Sequence, residues 1–337
     1  KTCIITNAGG VNPQACARAI QEMALSLGLN PKVVVVDGDD CLSRIDELQI
    51  KGATFENLET GEAFAKVRSK IAAANVYFGA TPVMQALELN PDIVITGRVT
   101  DTGITLAPMI YHFNWQWNDW NKLAAGIVAG HLLECGSQVT GGNFSDWKNV
   151  ESFANMGYPI AEVKPDGEFT ITKHPNTGGV VNADTVREQL FYEMGNPQAY
   201  LTPDVVADFS SIHVAETGKD RVSVYGVVGY EPTPFYKVSM AYENGFKVIC
   251  PLVISGPNAR AKAEKFAEIF WSRVDHKQFD ETYTEYFGWN ACHGSINHQS
   301  DGNEILLQFG ARGQIAEDLH RMAKVVPATI LSGPPGV

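Results

Sequence analysis

Three features are scarce in this 337-residue chain, and each scarcity argues against a class of protein. The six cysteines form no C-x-x-C pair, so a disulfide framework is not expected and reduced thiols are the default. No uninterrupted run of about 18 apolar residues occurs, so no transmembrane helix is predicted. Basic residues number 26 against 38 acidic ones. The resulting net charge of −12 argues against nucleic acid or an anionic membrane as the main partner.

The remaining composition is that of a globular protein with a sizeable core. Hydrophobic residues make up 45% of the chain, enough for one large core or for two of unequal size. The opening segment KTCIITNAGG is typical of a strand rather than of a signal peptide. We therefore expect a cytoplasmic protein, or a mitochondrial one if the source is eukaryotic.

The first two hundred residues repeat one order of elements. Apolar, β-branched runs end in glycine-containing turns, and a helical pattern follows each turn. The runs are CIIT, KVVVV, ANVYFG and DIVIT. This order is typical of a parallel sheet covered by helices, which binds ligands at the carboxyl ends of its strands. The sequence predicts a Rossmann-like α/β domain over residues 1–210, with a mostly parallel, doubly wound sheet.

From about residue 213 the pattern changes to successive strands with hairpin turns. A helical pattern over 257–274 places Phe266 and Phe270 on one apolar face. A smaller α+β domain with an antiparallel sheet is therefore predicted over 213–337. Within it, the segment ACHGSINH (291–298) is predicted to be a loop.

The turn TNAGGVNP follows the first predicted strand. Asn7 offers an amide, while Gly9 and Gly10 let a ligand approach the backbone beside a helix N-terminus. The turn lacks the full G-x-G-x-x-G fingerprint of a dinucleotide site. An anion site and a tight turn, with Asn12 as N-cap and Pro13 at the first helical position, are equally good interpretations.

The segment TGRVTDTG, which follows the fourth strand, carries more chemistry. Arg98 has the fork that binds carboxylate or phosphate, and Asp101 can act as a general base or orient Arg98. Thr100 and Thr102 supply hydroxyl groups. A salt bridge beside a helix cap is the structural alternative, but a functional role is favoured because such charges are costly unless paired or used.

The segment GHLLECG places His131 and Glu134 on one side of a helix. A hydrogen-bonded core histidine and a proton-transfer pair are both consistent with this spacing. No second ligand pair accompanies them, so no metal site is predicted. The following turn would bring Gly141, Gly142 and Asn143 to the same rim.

Two further segments have competing interpretations. The carboxylates of DGDD (37–40) suit a ribose hydroxyl or a divalent cation, but a turn before a capped helix is favoured. Trp115, Trp117 and Trp120 form either an apolar wall for a substrate, a subunit contact, or rings packed on the body of the protein.

Several long phrases of the chain resemble one family. They are TNAGGVNP, VITGRVTDTGITLAP, AGHLLECGSQVTGGNFSDW, PNTGGVVNADTVREQL and YLTPDVVADFSS. In order and in wording they resemble the acyclic terpene utilisation family, typified by AtuA, over nearly the whole chain. The resemblance implies that more sequence precedes TNAGGVNP and that the setting is the breakdown of branched or terpenoid acids. It supplies no catalytic residue.

These observations together predict an enzyme acting on an acyl-CoA or a branched carboxylic acid by hydration, dehydration or C–C cleavage. Asp101, or His131 with Glu134, would move the proton, and Arg98 would hold an anionic group. No cofactor is predicted to be required, a CoA thioester is a candidate substrate, and a homo-oligomer is expected. The alternatives are a non-catalytic acyl-CoA-binding or assembly subunit and a nucleotide-binding enzyme.

Overall fold

The computed structural model describes residues 2–296 and 302–337, and it divides the chain into two compact units. The first unit is Lys1–Ala241 and the second is Tyr242–Val337. Positions 297 and 298 of the predicted 291–298 loop lie outside the described residues. No helix in the described parts of the chain is long and apolar enough to cross a membrane.

The first unit alternates helices and strands at its start and then becomes rich in short strands. Its helices are α1 (Pro13–Ser26), α2 (Ile45–Ile50), α3 (Thr81–Glu88), α4 (Asp101–Phe113), α5 (Trp120–Leu133) and α6 (Ala183–Phe191). Its strands are β1 (Ile4–Thr6), β2 (Val33–Val36), β3 (Ile71–Val76), β4 (Ile93–Thr96), β5 (Pro159–Val163), β6 (Phe169–Lys173), β7 (Tyr200–Leu201), β8 (Val206–Asp208), β9 (His213–Gly218), β10 (Arg221–Tyr225), β11 (Val228–Tyr230) and β12 (Val238–Tyr242).

The parallel sheet is smaller than the sequence predicts. Within the described residues it consists of β1, β4 and β2, in that order, while β5, β6, β10 and β9 form an antiparallel sheet. Strands β11, β8 and β7 form another antiparallel sheet, and β3 pairs with β12. The prediction of one mostly parallel, doubly wound sheet is therefore wrong, although the α/β class is confirmed. After β4 the chain enters two consecutive helices, and the later strands pair largely with neighbours along the chain.

The start of α1 follows the turn chemistry of its sequence. Asn12 accepts a hydrogen bond from the Ala15 N–H at 3.0 Å, and Pro13 occupies the first helical turn. A proline there removes an N–H that has no partner within the helix. The predicted cap is confirmed.

Apolar residues of α3, α4 and α5 form the centre of the largest core cluster of the first unit. Leu106, Leu123 and Ile127 are fully buried within it. Helix α5 is buried along most of its length, because apolar side chains cover all its faces. This buried helix carries His131 near its end.

The second unit is an antiparallel sheet with two helices. Its elements are β13 (Phe246–Ser255), α7 (Ala259–Ser272), β14 (Glu281–Phe287), β15 (Glu304–Gly313) and α8 (Ala316–Ile330), with sheet order β13-β15-β14. Phe266 and Phe270 of α7 are fully buried, and Phe270 stacks on Phe309 at 3.9 Å between ring centroids. The predicted α+β arrangement and the inward rings are confirmed.

The position of the division differs from the predicted 210–213. Strands β9 and β10 belong to the first unit, since Val222 of β10 pairs with Ile171 of β6. Strong alternation in RVSVY marks an antiparallel strand, but it carries no information about which strand it pairs with.

Candidate functional site

The carboxyl edge of the parallel sheet gathers turns that are distant in sequence. Because β1, β4 and β2 run parallel, three turns leave the same edge: 7–12, 37–40 and 97–103. The turn 79–82 lies beside them, because Phe78 forms a parallel bridge with Val99. The predicted common edge is confirmed for the first three turns, whereas the turn 79–82 follows β3, which pairs with β12 outside the parallel sheet.

Asp39 organises the exit of β4. Its carboxylate is buried and accepts hydrogen bonds from the Arg98 backbone N–H and from Asn75 Nδ2, both at 2.9 Å. Gly97 leaves the space that this carboxylate fills, since a Cβ there would overlap it. Asp40 accepts from the Leu42 N–H at 2.9 Å. These contacts favour the structural interpretation of the DGDD turn, and they show a role for Asp39 that the sequence did not indicate.

Asn7, Arg98 and Asp101 form a polar group at this edge, named here the edge cluster. Asn7 Nδ2 donates to Asp101 Oδ1, and Arg98 Nη2 lies 3.6 Å from the same oxygen. The Asp101 side chain is 54% exposed. Both partners meet Oδ1, and Oδ2 has no hydrogen-bond partner among the described residues.

The hydroxyl group of Thr100 caps a helix, and the Thr102 side chain is buried. Thr100 is the N-cap of α4, and its Oγ1 accepts from the Gly103 N–H at 3.1 Å. Thr102 is buried. Asp101 thus lies in the first turn of a capped helix, where the helix dipole favours a negative charge.

Arg98 is only partly satisfied by protein groups. Its guanidinium lies over the ring of Tyr77, 4.9 Å from the centroid, and Nη2 donates to the Val99 carbonyl at 3.2 Å. Its Nε is buried and has no hydrogen-bond partner among the described residues. A buried donor without a partner carries a desolvation cost, so this nitrogen is a candidate contact for a bound anion.

Gly9 and Gly10 differ in what they do. Gly9 is buried, and a Cβ there would overlap the Thr96 carbonyl oxygen and Pro13, so close packing requires glycine. Gly10 is exposed at φ +56° with open space around it. Only Gly10 therefore offers free backbone to an approaching molecule.

His131 lies in a closed environment. Its ring is 1% exposed, with Nδ1 3.1 Å from Glu134 Oε1 and Nε2 2.8 Å from the Gln189 carbonyl oxygen. The rings of Tyr200 and Phe209 contact it edge-on at 5.7 Å and 5.4 Å between centroids. Both ring nitrogens are occupied, so a ligand reaches this histidine only if the surrounding core opens.

A close helix crossing brings this buried pair near the edge cluster. A Cβ on Gly130 of α5 would lie 2.7 Å from the Cα of Thr102 in the first turn of α4. Asp101 and His131 are the chain neighbours of those two contacting residues. Burial raises the pKa of the Tyr200 hydroxyl, and the charges of Glu134 and Asp101 raise it further.

A family model of the acyclic terpene utilisation family protein AtuA matches residues 1–337. The chain belongs to the acyclic terpene utilisation family. The predicted resemblance is confirmed, and the family name indicates a role in acyclic terpene utilisation without specifying a reaction. Neither the curated proteins nor the solved structures contain a match to this chain.

In this member of the acyclic terpene utilisation family, Asp204 is a residue that the sequence interpretation missed. It is 6% exposed, its Oδ1 accepts from the Ala80 N–H at 2.8 Å, and its Oδ2 has no partner among the described residues. Burial raises its pKa to about 6, against the opposing effect of the Ala80 N–H. The carboxylate fills the space above Gly79, which in turn contacts Gly103 of α4. The signal was an aspartate set directly before a Val-Val pair.

The Gly141–Gly142 turn packs on residues outside the edge cluster. Gly141 packs against Val150 and Val180, and Gly142 packs against Ser137. Asn143 lines an open cleft of about 550 Å³ beside α6, and no residue of the edge cluster lines that cleft.

The three predicted tryptophans of this family member differ in burial. Trp115 is buried and its Nε1 donates to the Pro165 carbonyl at 2.9 Å, so it is a core residue. Trp117 and Trp120 are partly exposed. A wall of three rings is therefore not formed. Among the described residues, no group of three His, Cys, Asp or Glu side chains is placed to hold a metal ion.

Proposed function

We propose that this protein is an enzyme that transfers a proton to or from a branched or terpenoid carboxylic acid or its CoA thioester, during hydration, dehydration or C–C cleavage. The observation that carries the proposal is the edge cluster. It presents a half-exposed carboxylate, fixed by two partners from different segments, at the carboxyl edge of a parallel sheet. Membership of the acyclic terpene utilisation family supports the substrate class.

Asp101 is the general base in this proposal. The Asn7 amide and the Arg98 guanidinium orient Oδ1, so Oδ2, the other oxygen of this half-exposed carboxylate, takes the substrate proton. When that proton leaves a carbon next to a carbonyl, the electron pair of the broken C–H bond moves toward the carbonyl oxygen. Arg98, with its unpartnered Nε, offsets the negative charge that develops there.

Tyr200 is a hydrogen-bond donor in this proposal. Burial first, and then the charges of Glu134 and Asp101, raise the pKa of its phenol, so the phenol keeps its proton and stabilises a developing oxyanion by a hydrogen bond rather than by giving the proton up. His131 packs against its ring and is itself held by Glu134. In this arrangement His131 and Glu134 position Tyr200, and their own contact with substrate stays a prediction from the sequence.

Solvent exchange tests the proton-transfer step by itself, whichever bond forms or breaks afterwards. The purified chain is incubated in D₂O with a β-methyl-branched enoyl-CoA and with its 3-hydroxyacyl-CoA. Mass spectrometry then follows deuterium in the acyl chain and the appearance of hydrated or cleaved products. We expect exchange with the wild type and a loss of about 10³-fold in Asp101→Asn, the scale of general base catalysis.

Asp46→Asn is the matched control. Asp46 is also an exposed aspartate paired with an arginine, Arg68, at 2.8 Å, but it lies outside the edge cluster. We expect it to leave exchange unchanged. Absence of exchange and of product with all substrates, together with stabilisation by acyl-CoA, would indicate a binding subunit instead. Stabilisation by NAD or ATP alone would indicate a nucleotide-binding enzyme.

A further inference from the structure

Two cationic side chains lie over the ring of Tyr77. The Arg98 guanidinium lies 4.9 Å from its centroid, and the Lys237 ammonium lies 5.3 Å from the same centroid. The Tyr77 N–H donates to the Lys237 carbonyl at 2.9 Å, so the backbone before β12 is fixed beside this ring. Both cations therefore lie beside the same aromatic ring.

The two cations at this ring differ in their partners. Arg98 shares Asp101 Oδ1 with Asn7 at the long distance of 3.6 Å, and its backbone N–H donates to the buried Asp39 carboxylate. Lys237 takes part in none of the ion pairs among the described residues, and its side chain is exposed. In a chain of net charge −12, an exposed cation without an ion-pair partner beside the Arg98 guanidinium suits an anionic ligand.

The closeness of Arg98 to Asp101 restricts what that anion is. A group bound by Arg98 lies within a few bonds of any carbon whose proton reaches Asp101. The phosphates of CoA are separated from the thioester by the whole pantetheine arm, so they do not meet this requirement. A carboxylate on the acyl part of the substrate does, and the planar guanidinium of Arg98 suits it.

We propose that Arg98 and Lys237, seated on Tyr77, form a carboxylate subsite, and that the substrate carries a free carboxylate a few bonds from its reacting carbon. The location of that carbon rests on the proposed function. Phe235 and Tyr236, 78% and 60% exposed, directly precede Lys237 and provide apolar surface for a branched chain. Both a free branched acid and an acyl thioester with a second carboxylate have this chemistry.

Calorimetric titration of the full chain tests the subsite directly. The probes are 3-methyloctanoate, its alcohol 3-methyloctan-1-ol, 3-methylglutarate and inorganic phosphate. We expect the wild type to bind one or both carboxylates and to bind the alcohol at least tenfold more weakly. In Lys237→Gln the dissociation constant for the bound carboxylate should rise about tenfold, because one charge-assisted contact is lost.

Matched variants separate charge from structure. Lys237→Arg and Tyr77→Phe should keep binding, since they retain the cation and the ring. Lys148→Gln is the control, because Lys148 also lies over an aromatic ring, Trp147 at 5.8 Å, but elsewhere. Equal affinities in the wild type and Lys237→Gln, an absence of carboxylate binding, or preference for phosphate would each overturn the subsite.

The choice between 3-methyloctanoate and 3-methylglutarate distinguishes the two sources of the carboxylate. Tighter binding of the monoacid indicates a free branched acid, and tighter binding of the diacid indicates a thioester with a second carboxylate. Loss of binding in Lys237→Gln without solvent exchange in the wild type would leave the subsite intact and contradict the proposed function. Solvent exchange in the wild type that Lys237→Gln does not alter would support the proposed function and contradict the subsite.

Discussion

The edge cluster and the His131–Glu134 pair were predicted from the sequence on the same grounds, but they lie in opposite environments. Each combines a carboxylate with a second polar group beside apolar sequence. Asp101 is half exposed and both its partners meet one oxygen, whereas His131 is 1% exposed with both nitrogens occupied. Spacing along a helix predicts that two groups meet, but the packing of other elements decides whether a ligand can reach them.

The contrast also predicts how the two sites respond to substitution. A buried polar group is coupled to the core, so its removal changes stability. A half-exposed base contributes little to stability and much to chemistry. The four predictions below are ordered by the expected change in the free energy of unfolding.

The largest change is expected for His131→Ala. It removes a buried ring, opens a cavity beside Tyr200 and leaves Glu134 and the Gln189 carbonyl without their partner. We expect a loss of about 4 kcal/mol in the free energy of unfolding, measured by urea denaturation. His320→Ala is the control, because His320 also lies three residues from a glutamate but is 72% exposed. Equal losses of stability in the two variants would show that burial does not distinguish these histidines.

Asp204 predicts a pH dependence with a defined sign. Its folded-state pKa of about 6 lies above the ordinary 3.8, so the folded state keeps this proton after the unfolded state has lost it. Its stabilising contribution is complete below pH 4 and is lost as the pH rises to 6, an effect of about 3 kcal/mol. Asp204→Asn has no proton to lose. The free energy of unfolding, measured at pH 4, 5, 6 and 7, should therefore fall more steeply with rising pH in the wild type than in the variant. The same pH dependence in both proteins would contradict the prediction.

Gly130→Ala tests the contact between the two regions. The new methyl group meets the Thr102 backbone, which cannot rotate away, and we expect a loss of about 2 kcal/mol. Gly126→Ala, one turn earlier, meets the flexible end of the Leu106 side chain and should cost less. Thermal melts of both variants decide this, and a larger effect at Gly126 would show that the crossing is not tight.

The smallest change is expected for Asp101→Asn. The variant keeps the shape of the side chain and loses only its charge, so the free energy of unfolding should fall by less than about 1 kcal/mol. Solvent exchange should nevertheless be lost. A large loss of stability would place Asp101 with the structural groups and end the contrast between the two regions.

Local features of the fold were predictable because they depend on neighbouring residues. The cap formed by Asn12 and Pro13, the Arg98–Asp101 pair, and the inward Phe266 and Phe270 all follow from spacing of a few residues. The antiparallel sheet of β5, β6, β10 and β9 was not predicted in the first unit. Alternation identifies a strand but leaves its partner unspecified.

The unpredicted site residues have partners that are distant in sequence. Asp39 contacts the Arg98 backbone, Asp204 contacts Ala80, and Lys237 shares the Tyr77 ring. No periodic pattern links such positions. Each could be flagged as a charge in an unusual setting, but only the folded chain shows what that charge meets.

The bond between Asp204 and Ala80 spans 124 residues, and this has a consequence for how the chain is made. At a synthesis rate of about 5–20 residues per second, roughly 6 to 25 seconds separate the appearance of the two residues. During that interval α3 begins without its carboxylate partner. The edge that bears Asp101 is therefore completed late in translation, by a segment made long after the strands that it joins.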